Sequence, residues 1–185
     1  LAPLWHAVFT ELGYEVVFSR LSTRRTYEKG QFSIPSDTAC YPAKIMHGHM
    51  EELMDEGLDT LFYPVLTYNV DEQGGTNHYN CPIVAYYSEL LNGNMDRLKD
   101  VTFLYPNLNI NSPRAFTVTL FEAMHRHDPS VTRGECRRAV MAGLEAYDRF
   151  RRDVMAEGER AVAYARTKGK RIMILAGRPY HIDPE

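Results

Sequence analysis

Apolar residues recur along the chain in two alternating rhythms. From Pro3 to Leu12 the positions Leu4, Val8, Phe9 and Leu12 follow helical spacing, and Gly13 supplies a stop. Residues 14–19, YEVVFS, read as a short strand, and the polar stretch over 21–30 reads as turn-like, with a brief helical turn as the alternative. Pro42 stands at a first helical position, and Ile45, Met46, His49, Leu53 and Met54 mark one face up to Gly57. Residues 59–65, DTLFYPV, form a continuous apolar run of the kind shown by parallel strands buried on both faces. A loop of about fifteen residues follows over 66–80, a length associated with function. Pro82 then opens a helix through Leu91, and residues 101–106, VTFLYP, read as a further strand. Pro113 to His125 is predicted helical, with Phe116, Leu120 and Phe121 inward. Between Thr132 and Lys168 there is no proline, and Cys136, Val140, Leu144, Tyr147, Val154, Val162 and Ala165 approximate one stripe. That stretch predicts one long helix, or two with a break near Gly143 or Gly158. Residues 171–176, RIMILA, read as a last buried strand.

Strands alternating with helices predict an α/β fold, a Rossmann-like three-layer α/β/α arrangement with a mostly parallel sheet and a long C-terminal helical segment. Residues 1–168 read as a single α/β domain truncated at its N-terminus. Residues 169–185 read as a strand and loop that begin a further domain. Both ends read as cut from a longer chain.

Composition narrows the function classes. With 44% hydrophobic and 24% charged residues over 185 positions the chain is ordinary globular material. A formal charge of −3 and a pI near 6.2 remove the net basic charge that draws proteins to nucleic acid. No apolar run is long enough to span a bilayer and no secretory signal is read, so a cytoplasmic setting is the default expectation. Three widely spaced cysteines do not form a disulfide framework, which leaves reduced thiols or metal ligands.

Two of those cysteines share a context. Cys40 and Cys81 each stand at or just before a proline that opens a predicted helix. Helix starts favour the thiolate, the form that attacks electrophiles and binds metal. The competing reading is that each packs as a small hydrophobe, the commoner fate of a free cysteine. Cys136 lies on the apolar stripe of the long helix and reads as core packing. Zinc is a weaker alternative, using Cys40, Cys81 and His78. His47 and His49, two apart on a helix, point to nearly opposite sides and cannot share an ion, and the same holds for His125 and His127. His49 shares its face with Ile45 and Leu53 and reads as a satisfied core histidine. The glycines of DEQGGTN are loop punctuation, and without a Walker sequence the chain is not expected to hydrolyse ATP unaided. Arg24, Arg25 and Arg178 are candidates for a phosphate of a CoA-like ligand, against the commoner role of solvated charge.

Three ordered segments, SDTACYPAKIMHGHMEELMDEGLDTLFYP, NHYNCPIV and AGRPYHIDP, carry a resemblance. Along its whole length the chain resembles a domain of unknown function in CoA-substrate-specific enzyme activases, large proteins related to activators of (R)-2-hydroxyglutaryl-CoA dehydratase. In such proteins an actin-like ATPase region and a dehydratase-like region neighbour this domain. The resemblance implies a part in ATP-driven electron transfer through a 4Fe-4S cluster during dehydration or reduction of CoA esters. Cys40 and Cys81 match its motif cysteines and become candidate cluster ligands. A cubane usually takes three or four thiolates, so the resemblance implies further ligands from outside the chain, no bound cluster in the isolated chain, and no turnover by it alone. The implied partners are the neighbouring ATPase and dehydratase-like regions and an acyl-CoA, with neither nucleic acid nor membrane. The alternative is a non-catalytic scaffold or docking domain whose cysteines are structural.

Overall fold

A computed structural model of the chain describes residues 1–71 and 74–177. These form helices α1 (Ala2–Glu11), α2 (Arg24–Gly30), α3 (Tyr41–Asp55), α4 (Pro82–Asn94), α5 (Pro113–His127) and α6 (Arg133–Thr167), with strands β1 (Thr60–Phe62) and β2 (Thr102–Leu104). They divide into two compact units, Val17–Arg133, and Leu1–Val16 with residues 134–177.

In the unit Val17–Arg133, prolines open three helices where the sequence places them, Pro42 in α3, Pro82 in α4 and Pro113 in α5. A proline there gives up only an N–H that the first turn leaves unbonded. β1 and β2 pair in parallel, Leu61 opposite Phe103. The pairing outlasts the strands: Tyr63 N–H donates to the Leu104 carbonyl at 2.8 Å, Val65 N–H to Pro106 at 3.0 Å, and Leu108 N–H to Val65 at 2.9 Å. Pro64 and Pro106 carry no N–H, which explains regular strands of three residues inside longer extended runs.

The expected three-layer sheet is therefore present only in its parallel pair. Among the described residues the sheet has two strands. Residues 14–19 form no strand, and Val17 and Phe18 stand exposed. Residues 171–176 form none either, and Met173, Ile174 and Leu175 are almost fully exposed. β-branched composition marks a segment that fits a pleated surface, and only a neighbouring strand makes it one.

Ala43, Met50 and Met54 of α3 share a core with Leu61 of β1, Tyr87 and Leu91 of α4, and Met95 and Leu98 beyond it. A polar chain runs through this oil. Ser33 Oγ lies 2.8 Å from His47 Nδ1, and His47 Nε2 lies 3.0 Å from the Tyr87 hydroxyl. Burial holds the His47 imidazole neutral, its pKa down at about 4. On the other side of α3, α2 approaches backbone to backbone. A Cβ on Gly48 would overlap the Thr26 carbonyl, and one on Gly30 would overlap the Gly48 amide.

In the other unit, α1 buries Leu4, Trp5 and Val8, and α6 buries Cys136, Ala139, Val140 and Gly143. Burial pushes the Cys136 thiol up to about 11, with a smaller contribution from Glu135. This is the core cysteine read from the stripe. α6 runs unbroken for 35 residues, through both glycines at which a break is expected. Gly143 is there for contact, since a Cβ would meet Val8 at 2.5 Å and the Leu4 carbonyl at 3.0 Å, while Gly158 faces open space.

Two predictions follow from this packing. Gly48→Ala should cost about 3 kcal/mol or more in urea unfolding and Gly143→Ala about 1–3 kcal/mol, whereas Gly158→Ala should gain up to about 1 kcal/mol; equal effects of Gly143→Ala and Gly158→Ala would contradict the contact. The second concerns acid. The unfolded chain takes a proton on His47 near pH 6.5 that the folded chain accepts only near 4, so stability present at neutral pH is lost as pH falls through that window. His49, lowered mainly by burial against an opposing pull from Glu52, adds loss in the same direction. Asp55, lowered chiefly by hydrogen bonds from Lys29 and Arg97, acts only below its ordinary value of 3.8. His47→Gln should be less stable at pH 7 and show a shallower fall in urea midpoint between pH 6.5 and 4.5; an unchanged slope would remove His47 as the cause.

Candidate functional site

Cys40 and Cys81 are the N-cap residues of α3 and α4. Their backbones nearly superpose, φ −65° and ψ 153° against φ −63° and ψ 155°, and neither side chain accepts a capping hydrogen bond. Ala43 and Lys44 amides donate to the Cys40 carbonyl at 3.0 and 3.1 Å, and the Ala85 amide donates to the Cys81 carbonyl at 3.1 Å. Each thiol is thus held on the first turn of a helix, Cys40 exposed and Cys81 half-buried.

The two helices run in the same direction. Halfway along, His47 meets Tyr87, and at the far end Arg97, just beyond α4, binds Asp55 at 2.9 Å and also Glu51. His47 is seven residues into the chain after Cys40 and Tyr87 six after Cys81. At about 1.5 Å per residue the cysteines lie about 10 and 9 Å back from that contact, at one end and nearly one height. The short link from Asp55 to Thr60 returns α3 into β1, which puts this end at the carboxyl edge of the parallel pair. In α/β folds that is the edge where sites assemble.

Beneath the cysteines the residues are aromatic and polar. The Tyr87 phenol is pushed up to about 12, first by burial and then by its proximity to Cys40. Tyr63 is likewise raised to about 12 by burial and by Tyr87. Both phenols stay protonated and neutral at physiological pH. Neither Tyr87 nor Tyr63 is singled out by sequence reasoning. The signal available for Tyr87 was register: a cysteine at each helix start, seven residues before His47 and six before Tyr87, places positions 47 and 87 level only if the helices run side by side.

Cys81 arrives on a braced loop. Tyr68 and Tyr79 form an antiparallel bridge, the Asn69 amide donates to the His78 carbonyl at 2.8 Å, and the Tyr68 hydroxyl donates to that of Tyr79 at 2.6 Å. Asn111 Nδ2 donates to the Asn69 carbonyl at 2.8 Å, tying this arm to the loop beyond β2. The stretch DEQGGTN, whose glycines read as loop punctuation, lies between the two arms of this bridge; Glu72 and Gln73 lie outside the described residues.

The zinc alternative does not assemble. His78 Nε2 lies 3.3 Å from Asp71 instead of joining the cysteines, and no group of three His, Cys, Asp or Glu able to hold a metal occurs among the described residues. His47 and His49 are both buried with separate partners, Tyr87 and Ser22, and His125 bonds the Val131 carbonyl at 2.9 Å. Two thiols without a third ligand do not by themselves fit a cubane. Of the phosphate candidates, Arg24 pairs with Glu28 at 3.0 Å, Arg25 is exposed, and Arg178 lies outside the described residues with most of the AGRPYHIDP segment.

No described helix is long and apolar enough to cross a membrane. No curated protein and no solved structure matches the chain. A family model does, described as the CoA enzyme activase uncharacterised domain (DUF2229), and it spans residues 1–185. The match covers the helix starts of both Cys40 and Cys81, and the chain is a member of the CoA enzyme activase uncharacterised-domain family.

Proposed function

We propose that this domain serves iron-sulfur-dependent electron transfer in the dehydration or reduction of CoA esters, with Cys40 and Cys81 as two ligands of a 4Fe-4S cluster. What supports this most is that Cys40 and Cys81, neither making a capping hydrogen bond, stand at the starts of two helices joined by the His47–Tyr87 bond. When bound, such a cluster supplies one-electron chemistry. This chain's residues contribute the two thiolates, first-turn amides whose dipoles favour negative charge, and neutral Tyr87 and His47 beneath. The remaining ligands come from other parts of a longer cytoplasmic protein with ATPase and dehydratase-like regions. An acyl-CoA is the ultimate substrate. In that setting residues 171–176 become a strand of a neighbouring dehydratase-like domain and extend the α/β/α layers beyond the parallel pair.

A second reading is a scaffold that positions those two regions, with both cysteines structural. One feature favours it: beyond its buried first turns α6 exposes Phe150, Val154, Met155 and Tyr164. The readings separate on iron content. In a protein that includes the neighbouring regions, purified without oxygen, Cys40→Ser and Cys81→Ser should each remove most cluster iron and sulfide. The 185-residue chain alone should bind less than one cluster equivalent. Unchanged iron in both variants leaves the scaffold.

A further inference from the structure

The strongest constellation outside the cysteine edge lies where α2 meets α3. Ser22 Oγ is 3.0 Å from His49 Nε2. On the other side of the ring, His49 Nδ1 is 3.8 Å from Glu52 Oε2. Glu52 is fixed through its other oxygen, which accepts from the Thr26 hydroxyl at 2.8 Å. We infer that Ser22, His49 and Glu52 form a serine acyl-transfer site, with Ser22 as nucleophile, His49 as its base and Glu52 orienting the ring.

Three observations carry this. The first is the order of groups, hydroxyl, imidazole and carboxylate, which is the arrangement that activates a serine whatever the fold. In the tautomer that carries its proton on Nδ1, the nitrogen nearer the Glu52 carboxylate, Nε2 accepts from the Ser22 hydroxyl. The second is an unmade bond. His49 Nδ1 and Glu52 Oε2 are both buried without a hydrogen-bond partner, and they face each other. Leaving such atoms unpaired costs free energy, and the cost is relieved when His49 gains a proton and draws the carboxylate in. Glu52 thus pulls toward the imidazolium that forms as Ser22 attacks, against the burial that keeps the resting ring neutral, and resting triads are often looser than reacting ones.

The third is a contrast within the same helix. Ser33 and His47 make a second hydroxyl-imidazole pair, but His47 is fully buried and its other nitrogen meets a tyrosine. His49 retains 8% exposure, the Glu52 side chain 21%, and Ser22 is half-buried, which places this group nearer the surface than His47. Ser22 also sits on a rigid base. It precedes the Thr23–Thr26 capping box of α2, and Thr26 is locked against Gly48. Acyl-transfer sites need such fixed supports.

The substrate class is a carboxylic ester or thioester. Ser22 Oγ bonds to the acyl carbon while its proton passes to His49 Nε2. The bond from carbon to the leaving oxygen or sulfur breaks, and that atom takes the proton. Water, deprotonated by His49, then releases the acid and restores Ser22. No electron is gained or lost.

The test uses a fluorophosphonate probe with p-nitrophenyl acetate and S-phenyl thioacetate as substrates. The native chain should carry one adduct, located at Ser22 by mass spectrometry, and should hydrolyse one or both substrates. Ser22→Ala should abolish both signals without changing the circular dichroism spectrum. His49→Gln should slow labelling about 100-fold. Glu52→Gln, which keeps an acceptor for Thr26, should slow it by a smaller factor that Glu52→Asp partly restores, a pattern that loss of packing would not give. A folded native chain that takes no label, labelling at another serine, or hydrolysis unchanged in Ser22→Ala overturns the proposal.

Discussion

The hydrogen bond between His47 and Tyr87 is the constraint on which the larger unit is arranged. It lies in an apolar core where an unpaired imidazole or phenol would carry the full cost of desolvation. Both partners therefore have to be in place together. Sliding α3 by one residue along α4 would turn His47 by about 100° and move it about 1.5 Å, leaving both groups unsatisfied. Hydrophobic contacts tolerate such slips far better, because methionine and leucine side chains adapt. The polar pair fixes register where the surrounding oil would allow several. The heights of Cys40 and Cys81 follow from that register, since each is tied to it by a continuous helix. Arg97, at the other end, is about half exposed and adds little energy. Its part is to keep the two helices aligned in one direction.

Much of this was legible in the sequence, and the unreadable parts share a cause. α3, α4 and α5 were readable because proline starts and helical periodicity are local. The parallel pair was readable from two apolar runs, although their prolines shorten the regular strands. Residues 14–19 and 171–176 carry the same β-forming composition, but the decisive partner strand is not a property of the segment. Contacts over long separations were invisible for the same reason. Ser33 and Tyr87 reach His47 across 14 and 40 residues, and Ser22 reaches His49 across 27. His49 did read as a satisfied buried histidine, and the sequence could not say what satisfies it. Cys40 and Cys81 were singled out correctly as helix starts, but their common height appears only once α3 and α4 lie side by side.

α6 shows the complementary case, an element the sequence predicts well and packing explains only in part. Its buried residues end at Gly143, yet the helix continues to Thr167. Beyond that point it depends on its own chemistry. Glu145 and Arg149 pair at 3.4 Å, Glu157 pairs with Arg160, and Arg151 stacks over Tyr147 at 5.9 Å. Such contacts add a few tenths of a kcal/mol each, so the far half draws its helicity from good helix formers and from continuity with a packed first half. The two glycines mark the change: one is required by a neighbour, and the other sits where nothing presses.

α3 carries two histidines two residues apart, and that spacing gives them unlike fates. A step of two turns the helix by about 200°, so His47 looks toward α4 and His49 toward α2 and the residues before it. The same step that prevents them from sharing a metal ion lets one helix hold two hydroxyl-imidazole pairs at once. On the α4 side both ring nitrogens meet hydroxyls, burial is complete, and the pair can only hold the fold. On the α2 side a carboxylate lies beside the second ring nitrogen and burial is slightly less complete, so the two rings meet unlike surroundings. The cysteine edge and the Ser22 face share α3 but no side chain.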